Sequence, residues 1–240
     1  AEEKKKSQKI KMVNVSPDMQ FYELLESYPY TLKGALCEYI DNALEAFKTA
    51  KKEKTDTLSE KLTITINIGS SQITIDDDGI GIDISEIQRA MKPANKTKEK
   101  SLSEFGIGMK AASMWFGNRW SLESYPVKSN FNYKLEFDLK QLLLTNSEKI
   151  KVLEIKTPTK NSGVKITLED LHNNIELNQA KRTWEEIQET YHYFTSKENP
   201  KPILNLVFKY KNETLPKKDF LNIKVAKESL IFPECKFKDG

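Results

Sequence analysis

Residues 30–50, YTLKGALCEYIDNALEAFKTA, constrain this chain more than any other stretch. At helical period Leu36, Ile40, Ala43 and Phe47 fall on one side, flanked by Tyr39 and Leu44. Glu38, Asp41, Asn42 and Glu45 stack along the other. An ordinary surface helix mixes Lys or Arg into its polar stripe, but here three carboxylates and an amide stand together with no base between them. Like charges at these spacings repel. A cation, a water or a phosphate-bearing ligand against the stripe would relieve that repulsion.

A chain of 240 residues can bury a sizeable core as one or two domains, and 30 % charged with 38 % hydrophobic residues is a soluble, globular composition. No apolar run approaches a membrane span. The opening AEEKKKSQKIKM has no apolar segment of signal-peptide type and reads as a mobile charged tail over residues 1–15. Two cysteines and two histidines are too few for a disulfide framework and argue against a zinc site, which fits a reducing, intracellular, cytoplasmic setting. A net charge of +3 makes no case for nucleic acid by itself.

Ser16-Pro17-Asp18 has the form of a helix start ahead of a short helix. The site helix follows, and beyond a charged loop LTITINIG alternates as a strand. ITIDDDGIGID is a second strand running into a glycine loop, 84–91 a short helix, and 91–104 a polar loop. FGIGMKAASMWFG starts a helix between glycines, and NRWSLESYPV and NFNYKLEFDL look like paired strands. Segments 151–155 and 163–168 are further strands; 177–196 has the length of a long helix, and ILNLVFKY is a last strand. This order predicts an α+β fold, a two-layer sandwich of a mixed, mostly antiparallel sheet covered by helices on one face. Trp115, Phe116, Trp120 and Tyr125 are expected as core packing, and His172 and His192 as structural or exposed.

Two glycine motifs carry chemistry. Asp76-Asp77-Asp78-Gly79-Ile80-Gly81 sets three carboxylates at a strand end, expensive in a packed domain unless cations or donors meet them. A plain Asp-Gly turn and a calcium loop are the other readings, and the spaced ligands of an EF-hand are missing. Phe105-Gly106-Ile107-Gly108-Met109-Lys110 opens a helix, where free N–H groups and the helix dipole favour an anion and Lys110 adds a charge suited to phosphate. Glycines placed there for packing alone fit equally well.

In this order and spacing the three motifs resemble the GHKL superfamily of gyrase B subunits, MutL, large heat-shock ATPases, histidine kinases and microrchidia (MORC) proteins. Glu38-Tyr-Ile-Asp41-Asn42-Ala-Leu-Glu45-Ala46 matches its first motif, Asp77-Asp78-Gly79-Ile80-Gly81 its DxGxG, and Gly106-Ile107-Gly108-Met109-Lys110 its third. Lys110 is most similar to the MORC pattern. Gly163-Val164 stands at the fourth motif without its threonine, so a hydroxyl contact near the adenine is not expected.

The resemblance, over residues 16–170, implies a Bergerat ATP site with ATP and Mg²⁺ as cofactors. Glu38 would be the general base that orients and deprotonates the attacking water, and Asn42 would give its oxygen to Mg²⁺. Asp77 would accept from the adenine amino group, with Gly79 and Gly81 shaping the pocket. Gly106, Gly108 and Lys110 would meet the phosphates, with Asp41 and Glu45 supporting. The loop 91–104 would be a lid with Lys96 and Thr97 as contacts. Glu rather than Asn at position 38 favours hydrolysis over transfer to a histidine.

The division expected is a tail at 1–15, an ATP-binding domain at 16–175, and a helix with strands at 176–240 as the start of a truncated transducer domain. A lysine of that domain reaches the γ-phosphate in the resembling families, so slow ATPase activity is expected of this chain alone. The implied function is a nucleotide-gated dimerisation switch in a larger protein, forming a homodimer and acting on DNA. The alternative is a chaperone-like switch for protein partners with little DNA binding. A kinase is the third reading.

Overall fold

The computed structural model describes residues 8–14, 29–53, 59–91, 108–127, 129–145, 147, 149–156, 162–196, 199 and 201–218, and every structural statement below concerns these. Nine strands form one sheet: β1 (Gln8–Asn14), β2 (Leu62–Ile68), β3 (Gln72–Asp77), β4 (Gly117–Tyr125), β5 (Phe131–Asp138), β6 (Lys149–Lys156), β7 (Gly163–Leu171), β8 (Leu204–Tyr210) and β9 (Glu213–Thr214). The helices are α1 (Leu32–Lys52), α2 (Ile84–Met91), α3 (Gly108–Phe116), α4 (Leu139–Thr145), α5 (Leu177–Thr190) and α6 (His192–Thr195). Across the sheet the order is β1-β6-β5-β4-β7-β3-β2-β8-β9. Each pair is antiparallel except β2 with β8. The protein is thus α+β with a mixed, mostly antiparallel sheet.

The alternation along each strand builds the two layers. In β2 Leu62, Ile64, Ile66 and Ile68 are buried while Thr63, Thr65 and Asn67 alternate outward, as a period of two requires. The buried rows of β2, β3, β4, β5, β7 and β8 meet the apolar sides of α1, α3 and α5 in one core. Its middle holds Phe47 of α1, Phe208 of β8 and the stacked pair Trp120–Phe137, ring centroids 5.2 Å apart. The outward face is polar: Asp76, Lys165 and Glu123 lie side by side across β3, β7 and β4. α1 begins at Thr31, whose hydroxyl accepts from the Gly34 N–H at 3.0 Å. Lys51 and Lys52 stand in its last turn, where cations suit the dipole.

Three expectations change. The tail expected over residues 1–15 is replaced over Gln8–Asn14 by an edge strand paired along β6, with Lys11 ion-paired to Glu154. That pair anchors the edge at a carboxylate that is itself largely buried. The helix expected over 177–196 breaks at Tyr191 into α5 and α6. The stretch from 177 to 218 also adds to the first layer: β8 lies parallel to β2, Trp184 of α5 stacks on Phe208 at 5.4 Å, and α5 packs beside α1. The short helix expected after Ser16, the loop 92–107 and residues 219–240 lie outside the described residues. Among the described residues no helix is long and apolar enough to cross a membrane.

Candidate functional site

The site helix α1 is gripped on both flanks, and this leaves its acidic stripe between them. On one flank α3 packs against it, and the buried Tyr39 hydroxyl shares a hydrogen bond of 2.9 Å with Ser113 Oγ. Ser113 Oγ also lies 2.8 Å from the Met109 carbonyl, to which it donates. On the other flank α5 packs, and the Tyr191 hydroxyl donates to Asp41 Oδ1 at 2.6 Å. Glu38, Asn42 and Glu45 are half-buried in the interval.

Glu38 joins the first and third sequence motifs. The Tyr30 hydroxyl donates to its Oε1 at 2.9 Å. Its other oxygen lies so close to the Gly108 Cα that a Cβ there would collide with the carboxylate. The glycine at the opening of α3 therefore has a steric reason: a side chain would push Glu38 off the helix start. Lys110, two residues on, is 1 % exposed, and burial pulls its amine down to about 8. The sequence suggests a lysine open to a phosphate, whereas the side chain lies inside α3's packing.

Asp77 joins the second and fourth motifs. The pleat of β3 decides which of three aspartates faces in: Ile73, Ile75 and Asp77 share the helix-covered face by a period of two, while Asp76 and Asp78 are exposed. The Gly79 N–H donates to Asp77 Oδ1 at 2.9 Å, and the Val164 N–H also binds the carboxylate. Burial nevertheless outweighs these donors and pushes its pKa from an ordinary 3.8 to about 7. Gly163 lies at φ +136°, and a Cβ there would run into the Asp77 carbonyl. Only glycine lets β7 approach this closely. Asp78 has a structural task, accepting from the Thr63 N–H at 2.6 Å.

The loop after Asp77 is fixed to the end of β4. Ser124 Oγ accepts from the Ile82 N–H at 2.6 Å and donates to the Ile82 carbonyl at 2.7 Å. The Val127 N–H donates to the Ile80 carbonyl at 3.0 Å. Gly81, at φ +70°, lies against the Tyr125 carbonyl. The loop is therefore fixed by contacts within the chain itself.

Of the residues singled out in the sequence, Glu38 and Gly108 meet, as do Asp77, Gly79 and Val164. Asp41 turns away to Tyr191. Gly106, Lys96 and Thr97 lie outside the described residues. Sequence reasoning missed Tyr30, Ser124 and Tyr191; a tyrosine directly before the capping Thr31 was the signal for Tyr30. Trp120 and Phe116 are core as expected, Tyr125 is half-exposed and donates to Glu123, and His172 reaches the Met114 carbonyl at 3.0 Å. No group of three His, Cys, Asp or Glu side chains among the described residues is arranged to hold a metal.

With this geometry in place, comparison with known families gives one match. The model of the family described as Histidine kinase-, DNA gyrase B-, and HSP90-like ATPase matches residues 30–167, more than half of the chain. No curated protein matches it as a relative.

Proposed function

The chain belongs to the histidine kinase-, DNA gyrase B- and HSP90-like ATPases, and from that footing we propose that it is a Mg²⁺-dependent, slowly ATP-hydrolysing module. The observation that carries this reading is the Glu38 carboxylate, held by Tyr30 against the start of α3. A general base needs a fixed carboxylate facing the place where a phosphate is received, and a glycine-opened helix start is such a place. Asp77 is the adenine acceptor: a half-buried carboxylate with few donors of its own gains most from an amino group brought by a ligand.

Asn42 supplies a hard carboxamide oxygen one turn from Glu38, which suits Mg²⁺. With no protein cage of three acidic ligands among the described residues, the ion would fill its shell from phosphates and water. When bound, it offsets charge on the phosphate oxygens. Gly106 and Gly108 meet the phosphates in this reading. Lys96 and Thr97 are proposed as nucleotide contacts.

The module works as a nucleotide-gated homodimerisation switch acting on DNA. What supports DNA is the MORC-like third motif in the sequence, together with Lys149, Lys151 and Lys156 exposed along β6. A duplex-DNA shift that weakens steeply with salt is the expected result, and its absence would favour protein clients.

Calorimetric titration of ATP with and without Mg²⁺ tests the site. Wild type binds, Asp77→Ala does not, and Glu38→Ala binds without hydrolysis. No binding by wild type at millimolar ATP would overturn the assignment.

A further inference from the structure

We propose that Tyr191 is a positioning residue for the nucleotide site: from the joint between α5 and α6 its hydroxyl fixes Asp41, and with it the setting of Glu38 and Asn42 on α1. This rests on the roles given above to Glu38 and Asn42. Asp41 follows Glu38 by three residues and directly precedes Asn42. A restraint there acts on the turn that carries both.

The joint is rigid where the hydroxyl is held. The Tyr191 N–H donates to the Ile187 carbonyl at 3.0 Å, ending α5. The Tyr191 carbonyl then accepts from the Phe194 and Thr195 N–H groups at 3.0 and 3.2 Å, building α6. The ring is 3 % exposed. Its hydroxyl donates to Asp41 at 2.6 Å and lies 3.5 Å from the Cys37 carbonyl, one turn back on α1. Burial first, with Cys37 and Asp41 adding, drives this phenol well above its ordinary range, so it stays protonated and donates at any working pH.

The same joint is tied to the other half of the site. The Phe194 carbonyl accepts from the Ile203 N–H at 3.1 Å, and the Ile203 carbonyl from the Leu62 N–H at 2.9 Å. Thr63, next in the chain, donates to Asp78, the neighbour of Asp77. The α5–α6–β8 stretch therefore touches both the helix with the proposed base and the strand end with the proposed adenine acceptor. A tyrosine that only filled the core would need neither its hydroxyl nor this connection.

Tyr191→Phe keeps the ring and removes the hydroxyl. In the nucleotide-free full chain, amide hydrogen exchange of residues 38–45 is expected to speed at least tenfold, with β4 and β5 unchanged. ATP affinity by calorimetry stays within threefold, because Asp77 is untouched, while kcat falls at least tenfold. Asp41→Ala gives the same pattern, and the double variant is no worse than either single one.

Unchanged exchange at 38–45 would overturn the proposal, whether or not wild type turns ATP over. So would faster exchange throughout the chain together with tenfold weaker ATP binding, the mark of a general packing role. Failure of the site reading shows separately, as an Asp77→Ala variant that still binds ATP.

Discussion

Replacing Asp77 by Asn should stabilise the nucleotide-free protein while disabling its ligand site. In the folded chain this carboxyl titrates near 7, against an ordinary 3.8. Between those values the folded state keeps a proton that the unfolded state has lost. Stability therefore falls as pH rises through the window, and the full penalty stands above pH 7. A shift of about 3 pH units corresponds to roughly 4 kcal/mol. Asn carries no charge to desolvate and keeps an oxygen for the Gly79 N–H, but it loses an acceptor for a second donor, worth about 1 kcal/mol. The net expectation is a gain of roughly 3 kcal/mol above pH 8 and little difference near pH 4. Urea unfolding of both proteins without nucleotide, at pH 4.5 and 8.5, measures this, since other titrating groups cancel in the comparison. ATP affinity should fall at least about a hundredfold, because the amide presents a donor to the adenine amino group. Parallel stability profiles for the two proteins would refute the reasoning, since an exposed aspartate has no such penalty.

Gly108→Ala puts a methyl group onto a flexible carboxylate, so the fold should survive with Glu38 displaced. Hydrolysis should drop at least about tenfold with ATP binding within threefold, measured by turnover and calorimetry. Gly163→Ala meets main chain instead, at a φ of +136° that side chains avoid. Its thermal unfolding should reveal a loss of at least about 3 kcal/mol. Lys110 has the opposite sign to Asp77: its amine, near 8 when folded against 10.5 ordinarily, makes the unfolded chain hold the extra proton between those values. Relative to Lys110→Met, wild type should thus gain stability as pH rises from 8 to 10.5, the Met variant being more stable below 8 by roughly 2 kcal/mol. A Met variant less stable at pH 7 would count against this.

The parts legible in the sequence were those whose signal is local. α1 showed its two faces through helical spacing, β2 its alternation, and the aspartate loop its place at a strand end. The period of two also held the choice of Asp77 over its neighbours, because Ile73 and Ile75 set the inward phase. What stayed hidden depends on distant partners. β1 reads as charged tail because its lysines mask a strand whose reason is the buried Glu154, over 140 residues away. β8 gives no hint that it lies beside β2, a parallel pairing that only the crossover through α5 makes possible. α4 follows β5 without a turn; its one cue was Asp138, whose carboxylate caps it by accepting from the Gln141 N–H at 2.9 Å. Tyr191 looks like one more apolar position of a long helix, and its hydroxyl acquires meaning only when Asp41 arrives from 150 residues earlier.

The two perturbed groups share a logic. Asp77 and Lys110 are each held where their charged form is disfavoured, and near pH 7 to 8 the empty protein bears part of both penalties. In the proposed site the adenine amino group would meet the Asp77 carboxylate, while Lys110 stays inside the packing of α3. Binding should therefore lower the pKa of Asp77 and flatten that group's part of the pH dependence of stability. Ligand at about 100 times its dissociation constant adds roughly 2.7 kcal/mol to the folded state. Pyrophosphate alone brings no such amino group and should leave the profile as it is in the empty protein, whereas adenosine should flatten the part that belongs to Asp77.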